Sequence, residues 1–108
     1  MLKTLFPKLG KSQPSRPLFT FGTLQLSEKV QWLDVKGLIE PLRYVQRHIR
    51  GDWGELSDAE RKGNRDALQS QGVLTSRYEI TPRLALIIRT NEDRSLTVVQ
   101  LPEEEKRL

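Results

Sequence analysis

The densest group of chemically capable side chains is the run Arg47-His48-Ile49-Arg50-Gly51-Asp52-Trp53-Gly54. His48 could move a proton near neutral pH, and Asp52 could orient it. Arg47 and Arg50 carry the forked guanidinium that fits phosphate. His48 is the only histidine, and cysteine is absent. A His/Cys zinc site therefore cannot be assembled within one chain, and disulfides and cysteine nucleophiles are excluded. No metal and no cofactor is expected. A hydrolase centred on His48 would still need a nucleophile or a metal, and no clustered carboxylates point to one. The favoured reading is structural, with no catalytic residue: Asp52 caps backbone amides in a turn, Trp53 fills the gap between two helices, and His48 is a hydrogen-bonded residue at the core boundary.

Helices flank this run. Pro41 suits the first helical position and Gly51 the position after the end, which predicts a helix over 41–50. Leu42, Val45 and Ile49 form its apolar stripe. Arg43, Arg47 and Arg50 form a second, basic stripe, and Tyr44 and His48 share a flank of the core face. Ser57 and Glu60 make a capping box, which predicts a helix over 58–70 ending near Gly72. On it, Asn64 faces inward beside Ala67 and Leu68, and its amide should bond to backbone of the 51–54 turn or of a strand end. Ser27 should cap a short helix over 28–34.

Strand patterns occupy the rest. Residues 18–26 read as an early strand with Gly22 at a bulge. Val73–Ile80 alternates with Leu74, Ser76, Tyr78 and Ile80 on one face; Leu84–Arg89 and Leu96–Leu101 follow, joined by turns. Asp93, Arg94 and Ser95 lie in the second turn, where they either satisfy turn backbone or face a partner. The expected fold is α+β: two or three short helices packed on a three- to four-stranded antiparallel sheet, with Trp53 at the junction of the helices.

Charge and composition bound the function. The 108 residues suit a single domain, with 36% apolar and 30% charged residues and a formal charge of +4. The surplus is local: residues 1–19 hold Lys3, Lys8, Lys11 and Arg16 and no acid, while the remainder is neutral. Three prolines fall in this segment, so residues 1–17 read as a basic arm, 18–102 as the domain and 103–108 as a polar tail. The arm is a solvated tail or a contact for nucleic acid or an acidic protein. No apolar run reaches membrane-span length and no secretory signal is evident, so a cytoplasmic protein without membrane contact is expected. Nothing in the sequence sets an oligomeric state.

Several spaced elements together carry a resemblance. Arg47, His48, Gly51, Asp52, Trp53 and Gly54, then Asn64, Ala67 and Leu68, then Ser76 and Tyr78, then Asp93, Arg94 and Ser95 make the chain, over roughly residues 19–102, resemble a family of small uncharacterised proteins of conjugative plasmids and integrative elements. Val73 stands where that family's pattern leads us to expect arginine, and the stretch before Asp93 is longer and lacks a tryptophan. The resemblance implies company on a mobile element and no particular catalysis. Accessory proteins of such elements often counter host defence, regulate plasmid genes or act as toxins. A neutral-to-basic chain is a poor imitation of DNA.

The leading expectation is a non-enzymatic interaction protein, an anti-restriction, anti-CRISPR or host-takeover factor that binds a host or element-encoded protein complex. The contact residues would come from the arm, the turn and the basic stripe: Lys3, Lys8, Lys11, Arg16, Arg43, Arg47, Arg50, Trp53, Asp93 and Arg94. Two alternatives stand beside it. One is a nucleic-acid-binding accessory protein using the arm and the arginine stripe. The other is a ribonuclease-like toxin centred on His48.

Overall fold

The structure, a computed structural model, describes residues 16–105. Lys3, Lys8 and Lys11 of the basic arm and residues 106–108 of the tail lie outside the described residues. The chain runs β1 (Thr23–Leu26), α1 (Glu28–Val35), α2 (Pro41–Ile49), α3 (Asp58–Ser70), β2 (Leu74–Thr81), β3 (Leu84–Thr90), β4 (Leu96–Gln100) and α4 (Pro102–Glu105). This is the expected α+β architecture, with one four-stranded sheet in the order β1-β4-β3-β2.

The antiparallel expectation holds for β2-β3-β4 and fails for β1. Strand β1 runs parallel to β4, with Thr23 opposite Leu96 and Leu26 opposite Val99. Alternation in a short strand fixes which face is buried and says nothing about direction. Direction is set where the chain crosses the β3–β4 turn. Thr23 N–H donates to the Ser95 carbonyl at 2.8 Å. Gly22 has φ +65°, and a Cβ there would stand 2.4 Å from Ser95 backbone, so the crossing needs glycine. The crossing also shortens the strand expected over 18–26. Leu18 instead hydrogen-bonds the Ile49 carbonyl at the end of α2 (2.6 Å), and Phe19 turns inward.

Each helix start has its chemistry in place. Ser27 Oγ accepts from Val30 N–H (3.2 Å) at the head of α1. The Ser57–Glu60 capping box closes in both directions, at 3.1 and 2.8 Å. Ser27 Oγ also donates to Glu104 Oε1 (2.9 Å), which accepts Leu101 N–H as well (2.7 Å). The tail expected from residue 103 is therefore partly anchored: Pro102 starts one helical turn, and Glu104 reaches the N-terminus of α1.

Leu74, Ser76, Tyr78 and Ile80 face the helices as expected. Tyr78 and Ile80 pack with Leu86, Ile88, Val99, Val30 and Val45 in the main core. A second cluster lies under α3: Trp53, 5% exposed, packs with Ala67, Leu74, Phe19, Leu56 and Leu68. The stripe read on α2 is rotated by one position. Leu42 is exposed, and the buried residues are Pro41, Val45 and His48. Both triads have helical spacing. The buried one centres on an imidazole because the sheet offers polar partners there.

The end of α3 also differs from expectation. Gln71, not Gly72, takes the left-handed cap (φ 62°), and its N–H bonds the Ala67 carbonyl. A non-glycine residue pays about 1 kcal/mol for that conformation. Gln71→Gly should therefore raise stability by about 1 kcal/mol, read as a higher urea midpoint at unchanged slope. A midpoint that does not move would mean that the Gln71 side chain offsets the strain.

Candidate functional site

The run that opened the sequence reading folds around one buried imidazole. His48 is fully buried. Nδ1 lies 2.5 Å from Ser76 Oγ on β2, and Nε2 lies 2.9 Å from Thr90 Oγ1 on β3. Thr90 Oγ1 in turn meets Thr97 Oγ1 on β4 at 2.7 Å. Ser76, Thr90 and Thr97 are themselves fully buried. A neutral imidazole has one donor and one acceptor nitrogen. Hydroxyls can serve either role, so this chain is satisfied by either tautomer. Phe19 meets the His48 ring edge-on at 5.3 Å, and Trp53 does so at 5.9 Å. His48 is thus a core residue, not the boundary residue expected. Burial, with help from the Arg94 charge, pushes its pKa from 6.5 down to about 3. At neutral pH it is uncharged and committed to two hydroxyls.

Asp52 is held rather than presented. Arg47 grips its carboxylate bidentately, Nε to Oδ2 at 2.7 Å and Nη2 to Oδ1 at 3.1 Å. That pairing holds the Asp52 carboxyl below the usual carboxylate range. The Arg47 guanidinium also lies 4.6 Å from the centre of the Tyr78 ring, and the Tyr78 hydroxyl donates to the Asp52 carbonyl at 2.6 Å. Burial pushes the Tyr78 phenol well above its ordinary range.

The same turn seals the outer edge of β2. Arg77 N–H donates to the Trp53 carbonyl (3.0 Å), and Glu55 N–H donates to the Arg77 carbonyl (2.7 Å). Glu79 N–H donates to Glu55 Oε1 (2.9 Å). Asn64 finishes the edge from α3. Its Nδ2 donates to the Thr75 carbonyl (2.8 Å) and its Oδ1 accepts Thr75 N–H (3.2 Å), as a neighbouring strand would. Gly54 is required at this contact: φ is +78°, and a Cβ would lie 2.0 Å from the Arg77 carbonyl oxygen.

Arg94 is an internal clamp. Nη1 donates to the carbonyls of Gly72 (2.6 Å), Asn91 (2.9 Å) and Glu92 (3.2 Å), and Nη2 to that of Ala67 (3.0 Å). It ties the β3–β4 turn to the end of α3 and lies 5.7 Å from the centre of the Phe19 ring. Asp93 is exposed, and Oδ1 accepts Ser95 N–H within the turn (3.0 Å).

The partner-contact residues expected from sequence therefore separate. Trp53 is packed in the core, Arg94 is bound to backbone carbonyls, and Arg47, half-exposed, is paired with Asp52. Arg43 is exposed and 3.5 Å from Glu40. Arg16 and Arg50 are exposed. Arg50 shares a concave surface of about 420 Å³ with Leu18, Gly51, Trp53, Arg61, Arg65 and Leu68. Sequence reasoning missed Arg61 and Arg65 there, although their spacing of four already places them on one helix face. It also missed Thr90 and Thr97. The signal was present: hydroxyl residues at inward positions of alternating strands opposite a helix that carries histidine.

Among the described residues no group of three or more His, Cys, Asp or Glu side chains could hold a metal, and no helix is long and apolar enough to cross a membrane. The chain matches no family model, no curated protein and no solved structure.

The buried imidazole makes stability pH-dependent in a calculable direction. Above pH 6.5 His48 is neutral folded and unfolded. Below it the unfolded chain takes up a proton that the folded chain refuses until about pH 3. Stability is therefore fully present above pH 6.5 and falls as pH drops, approaching about 1.4 kcal/mol per unit. Denaturant titrations between pH 6 and 5 should show this slope before carboxylates contribute. His48→Gln should cost about 1–3 kcal/mol at pH 7 and remove the slope. An identical slope in the variant would place the titration elsewhere.

Proposed function

We propose that the chain is a non-enzymatic interaction protein of a mobile genetic element, an anti-restriction, anti-CRISPR or host-takeover factor that binds a host or element-encoded protein complex stoichiometrically. One observation carries the interaction reading. Among the described residues, four of the six large apolar residues left exposed fall within residues 32–42: Trp32 at 56%, Val35 at 82%, Leu38 at 59% and Leu42 at 51%. They span α1, the following turn and the start of α2. Exposed apolar residues concentrated in one segment mark a contact surface, and tryptophan is a usual anchor of such surfaces. Trp32 thus takes the anchoring role that the sequence suggested for Trp53. The mobile-element context comes from the resemblance through Arg47–Gly54, Asn64, Ser76, Tyr78 and Asp93–Ser95.

The burial of His48 supports this reading over a ribonuclease-like toxin. A general acid or base must reach a substrate proton and be ionisable near working pH. His48 is enclosed, bonded at both nitrogens and neutral down to about pH 3.

The test compares the full chain with Trp32→Ser/Leu38→Ser/Leu42→Ser, each used to capture partners from host extract with and without nuclease. The substitutions are at exposed sites, so each should change stability by no more than about 0.5 kcal/mol. The native chain should form a nuclease-resistant complex of fixed stoichiometry, measured by light scattering, and the variant should not. Loss of all captured material on nuclease treatment would overturn the protein-partner reading. RNA cleavage by the native chain that is absent in a folded His48→Gln variant would establish the toxin instead.

A further inference from the structure

We infer that the concave surface formed by Arg50, Arg61 and Arg65 is a binding site for the phosphodiester backbone of a nucleic-acid strand. This inference is independent of the apolar contact surface. Four cations of the body are locally neutralised: Arg43 by Glu40, Arg47 by Asp52, Lys62 by Asp66 and Arg77 by Glu79. Arg50, Arg61 and Arg65 differ. Among the described residues none of the three has an ion-pair partner, yet all line one depression.

The local structure explains how they converge. Gly51 ends α2 with φ +89°, so Arg50 sits at the helix end facing α3. Arg61 and Arg65 are one turn apart on α3. Arg61 is pre-oriented by its Nη2, which donates to the Gly54 carbonyl at 2.7 Å and leaves its remaining N–H groups available. The floor between them is apolar, made of Leu18, Leu68 and the edge of Trp53. Guanidinium groups around an apolar floor suit phosphates at the rim with sugar and base edges against the floor.

Charge complementarity selects a polyanion over a protein of mixed charge. Leu18, which lines the depression, is held to Ile49 by its backbone N–H. The lining of the depression holds three arginines and no carboxylate. A cluster of that sign matches the regular phosphates of a strand and repays binding by counterion release.

The experiment measures anisotropy of labelled 12-nucleotide single-stranded DNA, the same sequence as RNA, and the corresponding duplex, with polyglutamate as competitor, from 50 to 200 mM salt. The full chain should bind at least one phosphodiester probe with affinity that falls steeply as salt rises. Arg50→Gln/Arg65→Gln should weaken binding about 10- to 100-fold near 0.1 M salt and reduce the log–log salt slope by about 1.5. The charge-matched control Arg43→Gln/Arg83→Gln should bind nearly as the native chain does. Thermal unfolding of each variant checks the fold, and Arg50→Gln alone should give about half the slope change. Equal affinity for the native chain and Arg50→Gln/Arg65→Gln, or no binding to any probe at 50 mM salt, would overturn the site. Displacement by polyglutamate at equal charge concentration would reassign it to acidic protein. The probe preferred among the three separates RNA, single-stranded DNA and duplex as the source of the backbone.

Discussion

The structure depends on keeping one imidazole neutral in its core. A buried polar ring is tolerable only when both nitrogens are bonded. That requirement places hydroxyls on three adjacent strands, Ser76 on β2, Thr90 on β3 and, one bond further, Thr97 on β4. Helix α2 is therefore docked at a defined rotation. A rotation that turned Leu42 toward the sheet in place of His48 would take the imidazole from the Ser76 and Thr90 hydroxyls. The network selects among packings that apolar contacts alone would leave nearly equal, which is the role buried polar groups play best when fully satisfied.

From that docking the edge of the sheet follows. With α2 fixed, the chain leaving it through Gly51 passes beside β2, and its backbone pairs with Arg77. Asn64 and Glu55 take the flanking positions, Thr75 and Glu79. An open strand edge invites pairing with other chains. Here it is closed by one turn and two side chains rather than by a fifth strand. Gly54 makes the close approach sterically feasible, and the Arg47–Asp52 pair, joined to Tyr78, holds the turn in place.

Much of this was legible from sequence because it is local. The capping box, Pro41 and Gly51 set the limits of α2 and α3, and strand alternation set the inward face of β2. What stayed hidden is nonlocal. The parallel direction of β1 depends on Gly22 passing the Ser95 backbone, which no pattern within residues 18–26 encodes. The burial of His48 depends on hydroxyls 28 and 42 residues away. Arg94 reads as a surface turn residue until the end of α3 supplies carbonyls to it. The same distance hid the arginines of the depression: the helical stripe Arg43/Arg47/Arg50 is a local regularity, whereas Arg50, Arg61 and Arg65 meet only after the helices pack.

These observations bear on what the spaced residues of the resemblance mean. Arg47, His48, Asp52, Trp53, Asn64, Ser76, Tyr78 and Arg94 are joined by hydrogen bonds, ion pairs or ring contacts to other parts of the fold. Substitution at such positions acts first on stability, because each removes a partner that another buried group requires. Their pattern therefore describes a way of building the fold. What this framework leaves at the surface are apolar groups such as Trp32 and Leu42 on α1 and α2, and the arginines that line the depression between α2 and α3. Two proteins could share the whole internal pattern and still differ in everything they bind. On the readings proposed above, binding would fall to positions such as Trp32 and Arg65, which the internal pattern does not constrain.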